Sequence, residues 1–120
     1  MKIKALGYIT IETQYPEKWA DFLTNIVGLM PAVSISHANI QFFKMDNYIW
    51  RIAIVPGKEE KLAVAGWEVK TQEDFNIAVE ELLAANVEFN YLNKEQLTER
   101  GVKEAISFLD PSGAHIEIFY

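Results

Sequence analysis

The chain contains no cysteine. Disulfides, thiolate metal centres and a cysteine nucleophile are therefore excluded. Basic residues are few: 11 Lys and Arg against 17 Asp and Glu, for a formal net charge of -6. They are spread thinly along the chain, so no basic stripe is available for a nucleic acid or an anionic membrane surface. No apolar run approaches the roughly 18 residues that a membrane helix needs. The opening "MKIKALGYITIET" alternates like a strand and lacks the unbroken apolar core of a signal peptide. The expectation is a cytoplasmic protein without nucleic-acid or membrane partners. Gly-rich phosphate loops, HExxH and a Ser-His-Asp arrangement are also missing. Ser112 stands in "DPSG", which reads as a hairpin turn with no helix after it, not as a nucleophile elbow.

What is present is enough for a core. The 120 residues fit one domain, and half are hydrophobic, with three Trp, five Tyr and seven Phe. No linker or low-complexity segment interrupts them. "KALGYITIET" has the period-two alternation of a strand. "YPEKWADFLTNIVGL" reads as a helix with Pro16 in its first turn, Glu17 at the positive end of the dipole and Gly28 ending it. Trp19, Phe22, Leu23 and Ile26 are expected to form its buried face. "IQFFKM", a turn in "KMDNY", and "YIWRIAIV" read as a hairpin.

After Pro56-Gly57 and the solvated "KEEK", the pattern restarts. "LAVAGWEV" is a strand. Thr71 is expected to cap a helix, with Asp74 three residues on. Phe75, Ala78, Val79, Leu82 and Leu83 are its expected buried face. "NVEFNY" is a short strand, and "NKEQLTERG" is a short, solvated helix ended by Gly101. "VKEAISFL", the turn at 110–113 and "AHIEIFY" make a second hairpin. Strand, helix, strand, hairpin is thus written twice, in modules at about 1–57 and 61–120 of a single domain. The expected fold is α+β: two βαβββ modules forming a curved eight-stranded mixed sheet, whose second face makes a cleft.

This arrangement resembles the vicinal oxygen chelate superfamily of glyoxalases, bleomycin-resistance proteins and extradiol dioxygenases. Within it, "LGYITIET…WADFLTNIVGLMPA", "YIWRIAIVPG", "LAVAGWEV" and "FLDPSGAHIEIFY" are similar to the N-terminal domain of two-domain extradiol dioxygenases of the dihydroxybiphenyl type. The resemblance covers nearly the whole chain. It implies a non-catalytic domain that packs on a C-terminal catalytic domain or self-associates into a dimer. The parent would bind Fe(II) in its catalytic domain, through two His and one Glu that leave positions open for an aromatic diol and O₂. The alternative is a free-standing, bleomycin-resistance-like protein that binds an aromatic ligand as a dimer.

Carried onto this sequence, the superfamily's ligand positions fall at about Tyr8, Val64 and Glu117. Val64 cannot ligate a metal, and a lone carboxylate does not hold one, so these are expected to be vestigial and the chain to carry no catalytic, cofactor or metal residues of its own. His115 and Glu117 stand two apart on a strand and share a face. They are either half of a metal site completed across an interface, or a polar pair facing the cleft or solvent. The second reading is preferred because no third ligand is visible; His37 reads as an exposed loop residue. Trp50-Arg51 is either an anion-binding pair or a core Trp beside an Arg that faces out or pairs with a nearby carboxylate, and the latter is expected. Trp67 is likewise expected in the core and Glu68 at the surface or ion-paired.

Overall fold

The computed structural model describes residues 1–32 and 39–120. His37 lies outside the described residues. Eight strands form a mixed sheet: β1 (Ile3–Thr13), β2 (Met30–Pro31), β3 (Gln41–Lys44), β4 (Ile52–Pro56), β5 (Lys61–Val69), β6 (Asn90–Tyr91), β7 (Ala105–Leu109) and β8 (His115–Phe119). Their order is β2-β3-β4-β1-β5-β8-β7-β6. Among the described residues there are also helices α1 (Pro16–Asp21), α2 (Gln72–Ala84) and α3 (Lys94–Arg100), with a π-helical segment at Phe22–Val27 following α1. The element order repeats, as the α+β reading requires. The chain divides into two compact units: Tyr8–Ala63, and Met1–Gly7 with Val64–Tyr120.

In the 8–63 unit, β1 runs parallel to β4, with Ile9 opposite Ile52 and Thr13 opposite Pro56. Strand β3 is antiparallel to β4, and β2 to β3. One sheet face buries Phe43 and Ile54 against Leu23 and Leu29, with Ile11, Ile52, Trp19 and Ala20 packed around them. The helical cover departs from the expected 3.6-residue pattern. After Asp21 it widens to π geometry, and the backbone N–H of Gly28 reaches back five residues to Leu23 O. Gly28 takes φ +87°, a left-handed conformation open to glycine, and Leu29 N–H also donates to Leu23 O at 2.8 Å. The Thr24 hydroxyl bonds Ala20 O at 2.8 Å, and the Asn25 amide bonds Asp21 at 2.6 Å. A π turn holds more residues than an α turn, so positions spaced for one α face rotate apart. Leu23 stays buried, but Phe22 and Ile26, expected on the same face, are 45% and 72% exposed.

The other unit repeats the pairing. Strand β5 runs parallel to β8, β7 is antiparallel to β8, and β6 to β7. Its core joins Phe75, Ala78 and Leu82 of α2 to Val69, Ile106 and Ile118 of the sheet, with Trp67 and Val79 packed against them. Each fully buried large side chain contributes roughly 1.5–3 kcal/mol. The Thr71 side chain accepts from Asp74 N–H at 3.1 Å, the expected N-cap. Leu83, expected to be buried, is 60% exposed, because it follows the buried Leu82 and points about 100° away around the helix. Gly7, on β1, has no room for a side chain: a Cβ there would lie 2.3 Å from Phe119 Cζ.

Candidate functional site

Strand β8 places alternate residues on opposite faces. Ile116 and Ile118 pack into the α2 core, so His115 and Glu117 point to the other face. They share it, as the sequence predicts, but their surroundings differ. Glu117 is only 3% exposed. Its carboxylate accepts two hydrogen bonds from the Arg100 guanidinium, Nε to Oε2 at 2.7 Å and Nη2 to Oε1 at 2.9 Å. This is the two-pronged geometry in which Arg and carboxylate match best. His115 is exposed, and its Nδ1 lies 3.3 Å from the Ser107 hydroxyl.

Arg100 reaches Glu117 because α3 is short and well bounded. The Asn93 side chain accepts from Gln96 N–H, and the Gln96 side chain accepts from Asn93 N–H, both at 2.9 Å. Gly101, at φ +67°, ends the helix immediately after Arg100. A cation in this last turn also suits the helix dipole. Arg100 Nη1 further donates to Gln96 O at 3.3 Å and meets Glu99 at 3.4 Å. The expectation that "NKEQLTER" is a solvated face is therefore corrected for Arg100, whose side chain is only 12% exposed. The available signal was a carboxylate in the apolar run "HIEIF", which needs a counter-charge when buried.

The hairpin before β8 is fixed by Asp110, whose carboxylate accepts from the Ser112 N–H and hydroxyl and the Ala114 N–H. The Ser112 hydroxyl, ahead of the backbone donors, holds that carboxyl below its ordinary value of 3.8. Ser112 is thus a turn residue, as expected. At the chain's last residue the Tyr120 hydroxyl donates to Glu104 at 2.6 Å. That bond, with burial and the negative charge of Glu104, raises the phenol above its ordinary 10.0.

In the 8–63 unit the face turned away from its helix is aromatic. Tyr8, Phe42 and Trp50 are all buried, with the Trp50 ring 4.9 Å from Tyr8 and 5.0 Å from Phe42. Trp50 is thus a core residue, as expected. Arg51 grips Asp46 through Nε at 3.0 Å and Nη2 at 2.6 Å, and stacks 3.6 Å over the Tyr48 ring. The Arg51 hydrogen bond is the chief reason that the Asp46 carboxyl lies below 3.8. Both residues sit in the loop before β4, which begins at Ile52 and not at Tyr48 as the apolar run predicts. Lys4 pairs with Glu68 at 3.0 Å, so Glu68 is ion-paired and Trp67 packs in the core.

Known proteins share this pattern. The family model described as dihydroxybiphenyl dioxygenase BphC D1 matches residues 6–57. An iron-dependent extradiol dioxygenase of Rhodococcus jostii is 32% identical over all 120 residues, which make up 40% of that relative. The chain resembles the N-terminal domain of the extradiol dioxygenases. A biphenyl-2,3-diol 1,2-dioxygenase of a Pseudomonas species is 34% identical over the same 120 residues, again 40% of its length. A solved catechol 2,3-dioxygenase superposes with a TM-score of 0.88 at 25% identity, covering all of this chain and 42% of that one. The chain thus spans about two fifths of the length of the relatives it matches, and has the vicinal oxygen chelate fold that they share.

The ligand positions that the resemblance implies can now be placed. Tyr8 is buried beside Trp50. Val64, on β5, lies opposite His115. Glu117 is bound to Arg100. An aliphatic side chain at one position and a carboxylate engaged by a guanidinium at another do not fit an iron ion. Among the described residues, no three His, Asp or Glu side chains group so as to hold a metal. Among the same residues, no helix is long and apolar enough to cross a membrane.

Proposed function

We propose that this chain is the N-terminal, non-catalytic domain of an extradiol ring-cleaving dioxygenase. One observation carries the reading: alignment runs through all of this chain but only 40% of the Rhodococcus jostii enzyme. In this reading the catalytic apparatus belongs to the rest of such a protein. There, Fe(II) held by two His and one Glu would cleave an aromatic diol with O₂. This chain's partner is that catalytic domain, and its task is structural: to pack on the catalytic domain and support oligomer contacts. The paired modules at about 1–57 and 61–120 act as one domain, and the parent enzyme is cytoplasmic.

The site residues fit this division of labour. Non-haem iron chemistry needs a ligand triad with open positions beside it. Here Val64 offers no donor atom, and the Glu117 oxygens already accept from Arg100. The experiment is to load the 120-residue chain with Fe(II) under anaerobic conditions, transfer it to air-saturated buffer with 2,3-dihydroxybiphenyl, and follow O₂ uptake. The expected result is no diol-dependent uptake by this chain, against rapid uptake by an intact two-domain relative. Multiple turnovers by the chain alone would overturn the reading.

A further inference from the structure

A buried carboxylate needs a counter-charge, and either a metal ion or a cationic side chain can supply it. On β8 that carboxylate is Glu117, 3% exposed on the face opposite the α2 core. Both its oxygens accept from one guanidinium. The guanidinium comes from α3, a seven-residue helix with no buried residue. Such a helix is too short to persist by propensity, and it has little apolar burial to place it. Its ends are stopped locally, by the Asn93–Gln96 capping box and by Gly101, but these contacts do not tie it to the sheet. The flanking chain is held by backbone bonds, Leu92 N–H to Ala105 O and Lys103 N–H to Tyr120 O, both at 2.9 Å; the Arg100–Glu117 pair holds the helix itself, across 17 positions of sequence.

We propose that Arg100 takes the place of a metal cation at Glu117, and that the resulting ion pair is the latch that holds α3 on the sheet. Glu117 is then an anchor for a helix and not a ligand. The guanidinium uses the carboxylate's two oxygens in a fixed planar geometry, so it fixes direction as well as distance. The latch belongs to the chain itself, whatever the parent enzyme cleaves.

Hydrogen exchange resolved by residue tests the latch, because it reads α3 separately from the sheet. Glu117→Gln keeps the size of the side chain and removes its charge; Arg100→Met keeps the stem and removes the guanidinium. In both variants the α3 amides protected in the wild type are expected to exchange at least tenfold faster, and by a larger factor than the amides between β7 and β8. Wild-type exchange rates across α3 in both variants would overturn the proposal. A second measurement needs no variant. Mn²⁺ added to the wild-type chain should leave the resonances of Glu117 and its strand neighbours unbroadened. Saturable, stoichiometric broadening centred on Glu117 would show that a metal displaces Arg100, and would also overturn it.

Discussion

In the 8–63 unit, the sheet face turned away from the helix is filled by Tyr8, Phe42 and Trp50, with the Trp50 ring against both of the others. In the other unit, the corresponding face carries Glu117 under Arg100, with Ser107 against His115. The strand pairing is the same in both: a parallel central pair and two antiparallel additions. One topology is thus completed by apolar packing in one place and by a buried ion pair in the other. The two solutions differ in what they tolerate. Ring packing is non-directional and degrades in proportion to the volume removed. An ion pair fails abruptly when one member is lost, because the survivor is left buried and uncompensated.

The sharpest test of this contrast uses substitutions singly and in pairs, with urea midpoints as the measure. Glu117→Leu, with Arg100 kept, should cost about 3–5 kcal/mol, and adding Arg100→Met should recover most of that loss. Trp50→Ala should cost a similar ~3–5 kcal/mol, but adding Phe42→Ala should deepen the loss and not repair it. If both pairs behave alike, the contrast fails.

Smaller effects probe how each face is assembled. Gly7→Ala puts a methyl into Phe119, with a Cβ 2.3 Å from the ring, and should cost about 1–3 kcal/mol in the unit that contains the ion pair. Thr71→Ala removes the N-cap of α2 and should cost ~1 kcal/mol, visible as a lower thermal midpoint. Smaller again is the effect of Tyr120→Phe. The Tyr120 hydroxyl donates to Glu104, which raises its pKa above 10.0. The stabilisation is complete below the pKa of the unfolded phenol and fades as pH rises through the folded one. Ultraviolet titration should show one tyrosine ionising late in the wild type, and that late step missing in Tyr120→Phe.

The same pair of units shows what the sequence makes legible. Periodicity located α2 because it is a regular 13-residue helix, and Phe75, Ala78 and Leu82 fall on one side of it as counted. It misplaced Phe22 and Ile26 because the first helix turns π after Asp21, and no residue there announces an extra residue per turn. Strands β1, β5, β7 and β8 were readable from alternation and the last turn from "DPSG", but β4 starts only at Ile52 and, of the expected strand "NVEFNY", only Asn90–Tyr91 pairs. The aromatic face was partly readable: Trp50 was expected in the core, but its contacts with Tyr8 and Phe42 bring together three segments far apart in sequence. Glu117 stood out as a carboxylate among Ile and Phe. Its partner did not, because Arg100 sits in a run of mixed charges that looks solvated, and only the fold brings positions 100 and 117 together. Pairing across such a distance is a property of tertiary structure, not of local pattern.

The central claim is that this chain is one domain of a longer ring-cleaving enzyme. The most direct measurement is the size of the native protein, probed in an extract of its source cells with an antibody raised against this chain. If this 13.7 kDa chain makes up 40% of the proposed parent, as it does of its relatives, that parent has a mass of about 34 kDa. The account predicts a band near that mass, which co-fractionates with Fe(II)-dependent cleavage of an aromatic diol. A single band at 13.7 kDa, separate from any such activity, would contradict it.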